Sequence, residues 1–485
     1  MASTIATARS TPTYVWRHRT GSRSALVDPD WLDWIVNNLG DLYSMPTPAT
    51  DLTQQPTRAR FGVLALISAC VTINYLDRAL LGIAAPTMQS ELALSPAVMG
   101  LVLSAFSWTY FLSQIPSGIL LDRFKARTIY AASLGAWSVV TVLHALVGGV
   151  ASLLGLRFAL GLAEAPCFPA NSKVVAMWFP RRERARAIAV YTAAEYVGLS
   201  FLSPILFWIL HSHGWRTLFA ISGTIGVLYA FHFLRRYRDP NDHPAVNQAE
   251  LDYIAAGGGA VTIASPSAFK MKHIAELFNH RQMWGLCIGQ FAVYSTFVFF
   301  LTWFPTYLAT ERHMGWIKVG IFTALPYIAG FFGILFAGWW SDWMLKRGIS
   351  LNVARKLPVI VGLLGAGSIV LANFIHSNVI VVCILSSAFF CQAMSSSGWS
   401  VVSEIAPKDR LGLVGGLFNA AANLSGIVIP LVIGVIVQAT GSFVAALAFV
   451  SVVALAGAFS WIFLIGDLRP MQLASLGVDP AADHV

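Results

Sequence analysis

The sequence of 485 residues carries little charge, since only 11% of its residues are Asp, Glu, Lys or Arg. Soluble globular domains usually contain about 25% charged residues. This deficit, together with 56% apolar residues and a mean hydropathy of +0.66, excludes a soluble globular protein. The basic residues form no stripe for nucleic acid, because they fall in short clusters between apolar runs. The sequence therefore indicates a protein of the lipid bilayer, with no nucleic-acid partner.

Cysteine is also scarce, and its pattern excludes two kinds of site. The five cysteines are odd in number and lie inside apolar runs without the spacing of metal ligands, so neither a disulfide framework nor a zinc site is expected. We find no nucleophile and base pair or phosphate loop, and we expect neither an enzyme nor a cofactor. The N-terminus has no short apolar core followed by a cleavage site, so we expect no removable signal peptide.

Long apolar runs are abundant, and each run of about 20 mostly apolar residues is enough to cross the hydrocarbon core once. Twelve such spans are predicted, six on each side of a polar, glycine-containing middle stretch. They lie at 61–85, 97–121, 128–149, 151–177, 185–210, 216–235, 284–308, 317–341, 357–376, 378–402, 411–437 and 441–466. The sequence thus predicts an all-α polytopic membrane protein.

The domain prediction follows from these spans. We expect a polar, disordered cytoplasmic N-terminal tail (1–58), a first six-helix bundle (59–236), a cytoplasmic linker (237–282), a second six-helix bundle (283–468) and a cytoplasmic C-terminal tail (469–485). An alternative for the first tail is a start at Met45, which leaves a shorter segment.

The distribution of basic residues predicts the orientation. Most of the 32 Lys and Arg residues fall in the tails, the middle stretch and alternate loops, whereas the opposite loops contain only Arg216, Arg312 and Lys318. Basic residues near span ends are retained on the cytoplasmic side. We therefore expect a multi-pass membrane protein with both termini in the cytoplasm, and we also expect a monomer.

The two halves repeat each other in sequence. Gly118 and Asp122 precede Arg123 at the end of span two, and Gly338 and Asp342 precede basic residues at the end of span eight. Two six-span halves in parallel are typical of major facilitator folds, whose substrate site lies near the midplane between the halves. An Asp beside basic residues at a helix end can latch one conformation. We interpret Gly118, Asp122, Arg123 and Asp342 as gating residues, although the basic residues can equally serve only as topology anchors.

Five ionisable residues lie where charge is costly. An ionisable side chain at the bilayer centre costs about 2.5–3.5 kcal/mol on insertion scales, so each is a candidate functional residue that must face a shared polar interior. All five lie in the first half: Asp77 and Arg78 in span one, Arg157 and Glu164 in span four, and Glu195 in span five.

These five residues have the composition of a proton relay. Arg157 and Glu164 are two helical turns apart and share one face, about 10 Å apart along the axis. Arg does not release its proton, so the carboxylates must be the titrating groups. An anionic substrate that reaches an Arg changes the proton affinity of a neighbouring carboxylate. The alternative is a set of buried ion pairs that only lock the spans together.

Polar and aromatic residues inside the spans are candidates for the cavity lining. Each alone is more often an interhelical hydrogen bond or a packing ring, but together they suit an oxygen-rich ligand opposite a cationic anchor. They are Tyr75, Tyr110, Gln290, Ser396, Trp399, Asn419 and Asn423. The histidines at 144, 211, 213, 313 and 376 lie near outer span ends, and we interpret them as interfacial residues rather than ligands.

Several motifs carry a family resemblance over about residues 58 to 468. They are Asn74-Tyr75-Leu76-Asp77-Arg78 in span one, the Arg157 to Glu164 helix of span four, Phe300 to Leu308 in span seven and Gly415-Gly416-Leu417-Phe418-Asn419 in span eleven. The chain resembles the anion:cation symporter family of the major facilitator superfamily, especially bacterial galactonate, glucarate and hexuronate permeases.

The resemblance implies a location in the bacterial inner membrane and proton-coupled uptake of a small organic carboxylate, such as an aldonate, aldarate or hexuronate. It implies that Asp77 and Glu164 are the protonated carboxylates, that Arg78 anchors the substrate carboxylate and that Arg157 couples the two. It also places Tyr75, Tyr110, Gln290, Ser396, Trp399 and Asn419 on the substrate side.

One departure concerns Glu195, where the sugar-acid permeases resemble one another in having Gln. A carboxylate donates to a hydroxyl only when protonated, so either Glu195 belongs to the proton-coupling set or the ligand is not an ordinary aldonate. The alternatives are import of an aromatic or other organic acid, drug/proton antiport, and a sensor that binds without transport.

Overall fold

The computed structural model describes residues 55–259, 271–407, 410–469 and 471, and most of both predicted tails lies outside these ranges. Regular structure within the described ranges is helical, without a strand. The spans are Ala59–Glu91, Pro96–Arg123, Ala126–Leu143, Val150–Glu164 with Cys167–Trp178, Arg181–Arg236, Arg281–Thr302, Trp316–Lys346, Leu351–Ala366 with Gly367–Phe374, Asn378–Ser395 with Trp399–Ile405, Leu411–Thr440 and Val444–Phe463. The all-α polytopic prediction is confirmed.

The long helix Arg181–Arg236 contains both span five and span six. Its 56 residues correspond to about 84 Å at 1.5 Å per residue, whereas the hydrocarbon core is about 30 Å thick. Gly214 interrupts it with φ 77° and ψ 171°, a conformation that glycine adopts without a Cβ penalty. With this break the described residues form twelve crossings, as the sequence predicts.

Short polar and glycine residues set the ends of several spans. The Ser95 side chain accepts a hydrogen bond from the N–H of Val98, and Pro96 occupies the first helical position of span two. The Ser350 side chain accepts from the N–H of Val353 at the start of span nine. Gly441 ends span eleven with φ 67°.

Span four is broken at a position that matters for the site. Its first helical segment ends at Glu164, and Pro166 precedes the second segment, Cys167–Trp178. Proline has no N–H to continue the hydrogen-bond ladder. The break therefore leaves the Glu164 carboxylate at a helix end inside the first half.

The two halves repeat a contact between their first and last spans. Glu91 at the end of span one accepts hydrogen bonds from Trp215 and Arg216 at the start of span six. Glu311, just after span seven, accepts from the Ser442 hydroxyl at 2.8 Å, immediately before span twelve. In each half, a glutamate thus joins the first span to the last span.

Two short linker helices, Gln248–Ala256 and Met271–Phe278, are each fastened to one half. The buried Glu250 accepts from the N–H groups of Ala59 and Arg60 at 3.3 Å and forms an ion pair with the Arg60 side chain at 3.1 Å. Glu276 pairs with Arg410 at the start of span eleven, at 2.7 Å. We call this end of the spans the linker end and the opposite one the far end.

The halves approach each other closely at the far end. A Cβ on Gly100 of span two would lie 2.5 Å from the carbonyl oxygen of Pro430 in span eleven, and one on Gly434 would lie 2.6 Å from that of Pro96. The Gln438 side chain accepts from the N–H of Ala97 at 3.1 Å. Backbone therefore meets backbone here, because the side chains are small.

The linker end is arranged differently. A Cβ on Gly118 of span two or on Gly338 of span eight would have no heavy atom of the described residues within 4 Å. The aromatic contacts between the halves end near the middle of the spans, where Phe297 meets Tyr75 and Tyr196. The halves are therefore closed together at the far end and separated toward the linker end.

Candidate functional site

A cavity of about 70 Å³ lies between the two halves, just below the far-end closure. Both halves contribute to its wall. The first half supplies Tyr75, Arg78, Leu103, Phe106, Ser107 and Arg157, and the second supplies Tyr294, Phe297, Val298, Leu301, Thr302, Ala422, Asn423 and Gly426. This is the place where major facilitator folds hold their substrates.

An ion pair joins two of the predicted residues in this region. Arg78 Nε donates to Glu164 Oε2 at 2.8 Å, and the Glu164 side chain is fully buried. Charge-assisted hydrogen bonds of this length are about twice as strong as neutral ones. The pair links span one to the broken end of span four.

Aromatic rings orient the Arg78 guanidinium. Its central carbon lies 5.2 Å from the ring centroid of Tyr75, 4.8 Å from that of Phe106 and 4.6 Å from that of Tyr110. A guanidinium within about 6 Å of a ring centroid gains a cation–π attraction. Tyr110 is absent from the cavity wall, so it acts on the site through Arg78.

Arg157 is the second cation of the cavity. It is buried, and its guanidinium carbon lies 5.3 Å from the centroid of the same Phe106 ring. Its Nε finds no hydrogen-bond partner within the described ranges. The wall therefore presents one arginine paired with Glu164 and one whose Nε remains available for a ligand.

Asp77 does not share the cavity, which corrects the expectation of one polar interior for all five charges. It is buried beside Trp137 and Thr141 of span three, and it is absent from the cavity wall. Adjacent residues of a helix point about 100° apart, so Arg78 faces the cavity while Asp77 faces span three. Glu164 still lies close enough to Asp77 to interact electrostatically.

Glu195 lies at the edge of the site rather than in the cavity wall. It is buried in span five, and its carboxylate lies beside Tyr75 and Tyr196. Tyr75 does line the cavity and touches Phe297 of the second half at 6.1 Å between ring centroids. Glu195 therefore contacts a residue of the cavity wall, Tyr75, but is not itself part of that wall in this conformation.

Four predicted substrate residues of the second half lie away from the cavity wall. Gln290 is buried in span seven, and Ser396 begins the short turn that interrupts span ten. Trp399 packs edge-on against Phe418, with centroids 4.9 Å apart, and the backbone carbonyl of Asn419 accepts a hydrogen bond from the Asn423 side-chain amide. Their roles in substrate binding stay predictions.

The sequence reasoning missed three polar residues of the wall, Ser107, Tyr294 and Thr302. Tyr294 had a usable signal, because it follows Gln290 by one helical turn and so lies on the same face of span seven. Asn423 was anticipated, and it does line the cavity. Ser107 gave no signal, since a single serine in an apolar span is usually a packing residue.

The predicted gating residues lie at the linker end of their spans. Asp122 and Arg123 are exposed, and the carbonyl of neighbouring Leu121 accepts a hydrogen bond from Lys173. Asp342 lies 3.8 Å from Arg355 of its own half. The contacts of Asp342 are thus within one half in this conformation, and the gating roles stay predictions.

The interpretation of His144 as an interfacial residue is wrong. Its side chain is fully buried, with Nδ1 2.8 Å from the Val140 carbonyl and the ring stacked on Phe219 at 5.2 Å between centroids. A position near a span end does not reveal that the ring turns inward and packs against Phe219 of span six.

Comparison with known proteins adds the family context. The Major Facilitator Superfamily model matches residues 67–378. The chain is 40% identical over 438 residues to the probable galactarate/D-glucarate transporter GudP of Escherichia coli (strain K12), covering 88% of this chain and 97% of that protein. It is 42% identical over 420 residues to the D-galactonate transporter of Escherichia coli O6:H1, covering 86% and 97%.

A solved structure supports the fold. A bacterial homologue of the human lysosomal transporter Spinster, in an inward-facing and unoccupied conformation, matches with a TM-score of 0.63. The match covers 84% of this chain and 95% of that chain, at 20% sequence identity. At this low sequence identity, the match supports a shared fold and nothing further.

Proposed function

Because this chain belongs to the Major Facilitator Superfamily, we propose that it is a proton-coupled symporter that imports a small sugar acid across the bacterial inner membrane. The candidates are aldonates, aldarates and hexuronates. The names of the galactarate, glucarate and galactonate transporters to which it is similar support this substrate class. The arginines of the cavity wall support an anionic ligand.

The observation that carries the proposal is the ion pair between Arg78 and Glu164 beside the cavity. A substrate carboxylate that binds Arg78 competes with Glu164 for the same guanidinium. Once displaced, the buried Glu164 has lost its cation and takes up a proton, because an unpaired charge there is costly. Substrate and proton are thereby bound together.

The rest of the wall suits the remainder of a sugar acid. Ser107, Thr302 and Tyr294 offer hydroxyl groups, and Asn423 offers an amide, opposite the two arginines. Hydroxyl and amide groups pair with several sugar hydroxyls, whereas the arginines fix the carboxylate end. In this proposal Arg78 is the anchor and Arg157 makes the cavity positive while Glu164 is protonated.

Transport then requires the two halves to rock about this site. With both termini in the cytoplasm, the closed far end faces outside and the separated linker end faces the cytoplasm. Opening the far end must part the backbone contacts of Gly100 and Gly434, and closing the linker end brings the predicted gating residues together. Asp77 and Glu164 carry protons through this cycle.

The test uses Glu164→Gln in proteoliposomes with D-galactonate and galactarate as test substrates. We expect uptake driven by a pH gradient to fall at least about 100-fold, because the amide cannot titrate, while counterflow exchange survives. Asp252→Asn, an exposed carboxylate of the first linker helix, should behave like the wild type. Unchanged gradient-driven uptake in Glu164→Gln would refute the role of Glu164.

A second candidate substrate class is an aromatic carboxylate. Four aromatic residues, Tyr75, Phe106, Tyr294 and Phe297, line the cavity together with the arginines, and such rings stack on an aromatic ligand. Competition of benzoate and D-galactonate for uptake of the same labelled acid decides between the classes. The same assay measures flux, so it also separates a transporter from a sensor.

A further inference from the structure

Several buried polar atoms on spans one and three are unpaired. Asn74, Asp77, Trp137, Ser138 and His144 each have a buried side-chain atom without a hydrogen-bond partner in the described part of the chain. Leaving one such atom unsatisfied costs about 1–3 kcal/mol. In proteins these atoms are usually satisfied by buried water, which needs two to four polar partners.

Three polar residues of span three lie in a row along this region. Trp137, Thr141 and His144 are spaced by four and three residues, so they share one face of the helix. Asp77 lies beside Trp137 and Thr141, and His144 lies about 10 Å further toward the far end than Trp137. None of these four residues is part of the cavity wall.

His144 has the chemistry of a relay at the end of this row. Its Nδ1 must donate to the Val140 carbonyl, since a carbonyl only accepts. Nε2 is then the basic nitrogen, and it has no hydrogen-bond partner among the described residues. A neutral imidazole nitrogen with a free lone pair can accept a proton and pass it on.

We propose that His144, Thr141 and Asp77 line a hydrated proton path inside the first half, separate from the substrate cavity. The inference rests on the proposed symport. A proton entering from the far end binds Nε2 of His144; that N–H bond then breaks, and the proton passes through water to a carboxylate oxygen of Asp77. Thr141 supplies a hydroxyl oxygen along the way.

The groups around His144 favour transfer over storage of the proton. Arg157 of span four is the charged group that acts on the ring, and span six contributes the apolar Phe219. The positive charge of Arg157 opposes a second positive charge on the imidazole. Asp77 of span one, reached past Thr141, is the acceptor toward which the proton moves.

The test is proton movement measured with an internal pH-sensitive dye in proteoliposomes, with D-galactonate and galactarate as probes. His144→Gln replaces the imidazole with an amide, which still forms hydrogen bonds but does not titrate. We expect substrate-driven proton uptake to fall at least about ten-fold, while counterflow exchange stays within about two-fold of the wild type. His211→Gln, an exposed histidine at the far end of span five, should match the wild type in both assays.

Each other outcome overturns the proposal. An equal loss of proton uptake and counterflow shows a structural role for His144, and unchanged proton uptake shows that protons reach Asp77 elsewhere. Should His144→Gln fail to accumulate in the membrane, Thr141→Val must show the selective loss instead. If the wild type takes up substrate without protons, the symport function fails, and the path fails with it.

Discussion

The two halves share one scaffold but differ in chemistry. In the first half, the buried side chains of the described residues include Asp77, Arg157, Glu164, Glu195 and His144. The buried polar side chains of spans seven to twelve within the described ranges are Ser, Thr, Gln and Tyr, and they include no Asp, Glu, Lys, Arg or His. The second half thus offers hydrogen bonds and rings to the cavity, whereas the first half holds the charges.

This difference teaches that buried charge was added to one copy of a repeated fold, and the proposed proton coupling therefore lies on that copy. The contacts that hold each half together recur, as between Glu91 and span six and between Glu311 and span twelve. The buried Asp, Glu, Arg and His residues of the first half have no buried counterpart among the described residues of spans seven to twelve. Architecture and chemistry are therefore separate properties of this chain, as is general for folds that host many functions.

Removal of Arg78, the proposed substrate anchor, tests the comparison most severely. Arg78→Ala leaves Glu164 buried without its partner, and breaking a buried pair typically costs about 3–5 kcal/mol. That cost lowers stability. Separately, we expect the affinity for D-galactonate to fall at least about 100-fold, because the substrate carboxylate loses its charge-assisted hydrogen bonds to the guanidinium, and 1.4 kcal/mol corresponds to ten-fold. Binding to purified protein by calorimetry measures this, with Arg186→Ala, an exposed basic residue of span five, as the control. Normal affinity in Arg78→Ala would assign the anchor to another residue.

A smaller effect is expected from the contact where the halves meet. In Gly100→Ala the new Cβ lies 2.5 Å from the Pro430 carbonyl oxygen, and overpacking of this kind costs about 1–3 kcal/mol. We expect net uptake and counterflow to fall together by about ten-fold, because the far end closes less readily. Gly155→Ala, which meets no described atom within 4 Å, is the matched control. If only gradient-driven uptake is lost, Gly100 does not act through closure of the far end, and a role in proton coupling is indicated instead.

The smallest effect is expected in the second half. Asn423→Ala removes one hydrogen-bonding side chain from the cavity wall, and one such bond contributes about 0.5–1.5 kcal/mol. We expect about five-fold weaker affinity for D-galactonate and an unchanged ratio of protons to substrate. Dye-reported proton uptake and labelled uptake on the same vesicles give that ratio. A changed ratio would extend proton coupling into the second half and break the comparison.

Much of the fold was predictable from the sequence. Apolar runs of bilayer length gave the spans, and the paired motifs at Asp122 and Asp342 gave the repeat, because hydropathy and topology act locally along the chain. The family resemblance is confirmed by the matching relatives, which are transporters rather than enzymes. The break of span four after Glu164 was not foreseen.

The site was predictable only in part. The free-energy cost of placing an ionisable side chain inside the bilayer identified Arg78, Arg157 and Glu164 as candidates, and the structure places them in one region. The partner of each charge depends on helix rotation and on packing between spans. The sequence therefore did not show that Asp77 lies outside the cavity wall or that His144 is buried. Such relations involve residues distant in the chain, and one sequence carries no direct signal for them.

The pairing of Arg78 with Glu164 has a consequence for the return step of the transport cycle. While the two side chains neutralise each other, their pair contributes no net charge as the halves reorient in the transmembrane field. A single uncompensated charge crossing 100 mV would exchange about 2.3 kcal/mol with that field. In the proposed cycle Glu164 therefore acts as a counter-ion for Arg78, so this pair adds no net charge to the step in which the empty carrier resets.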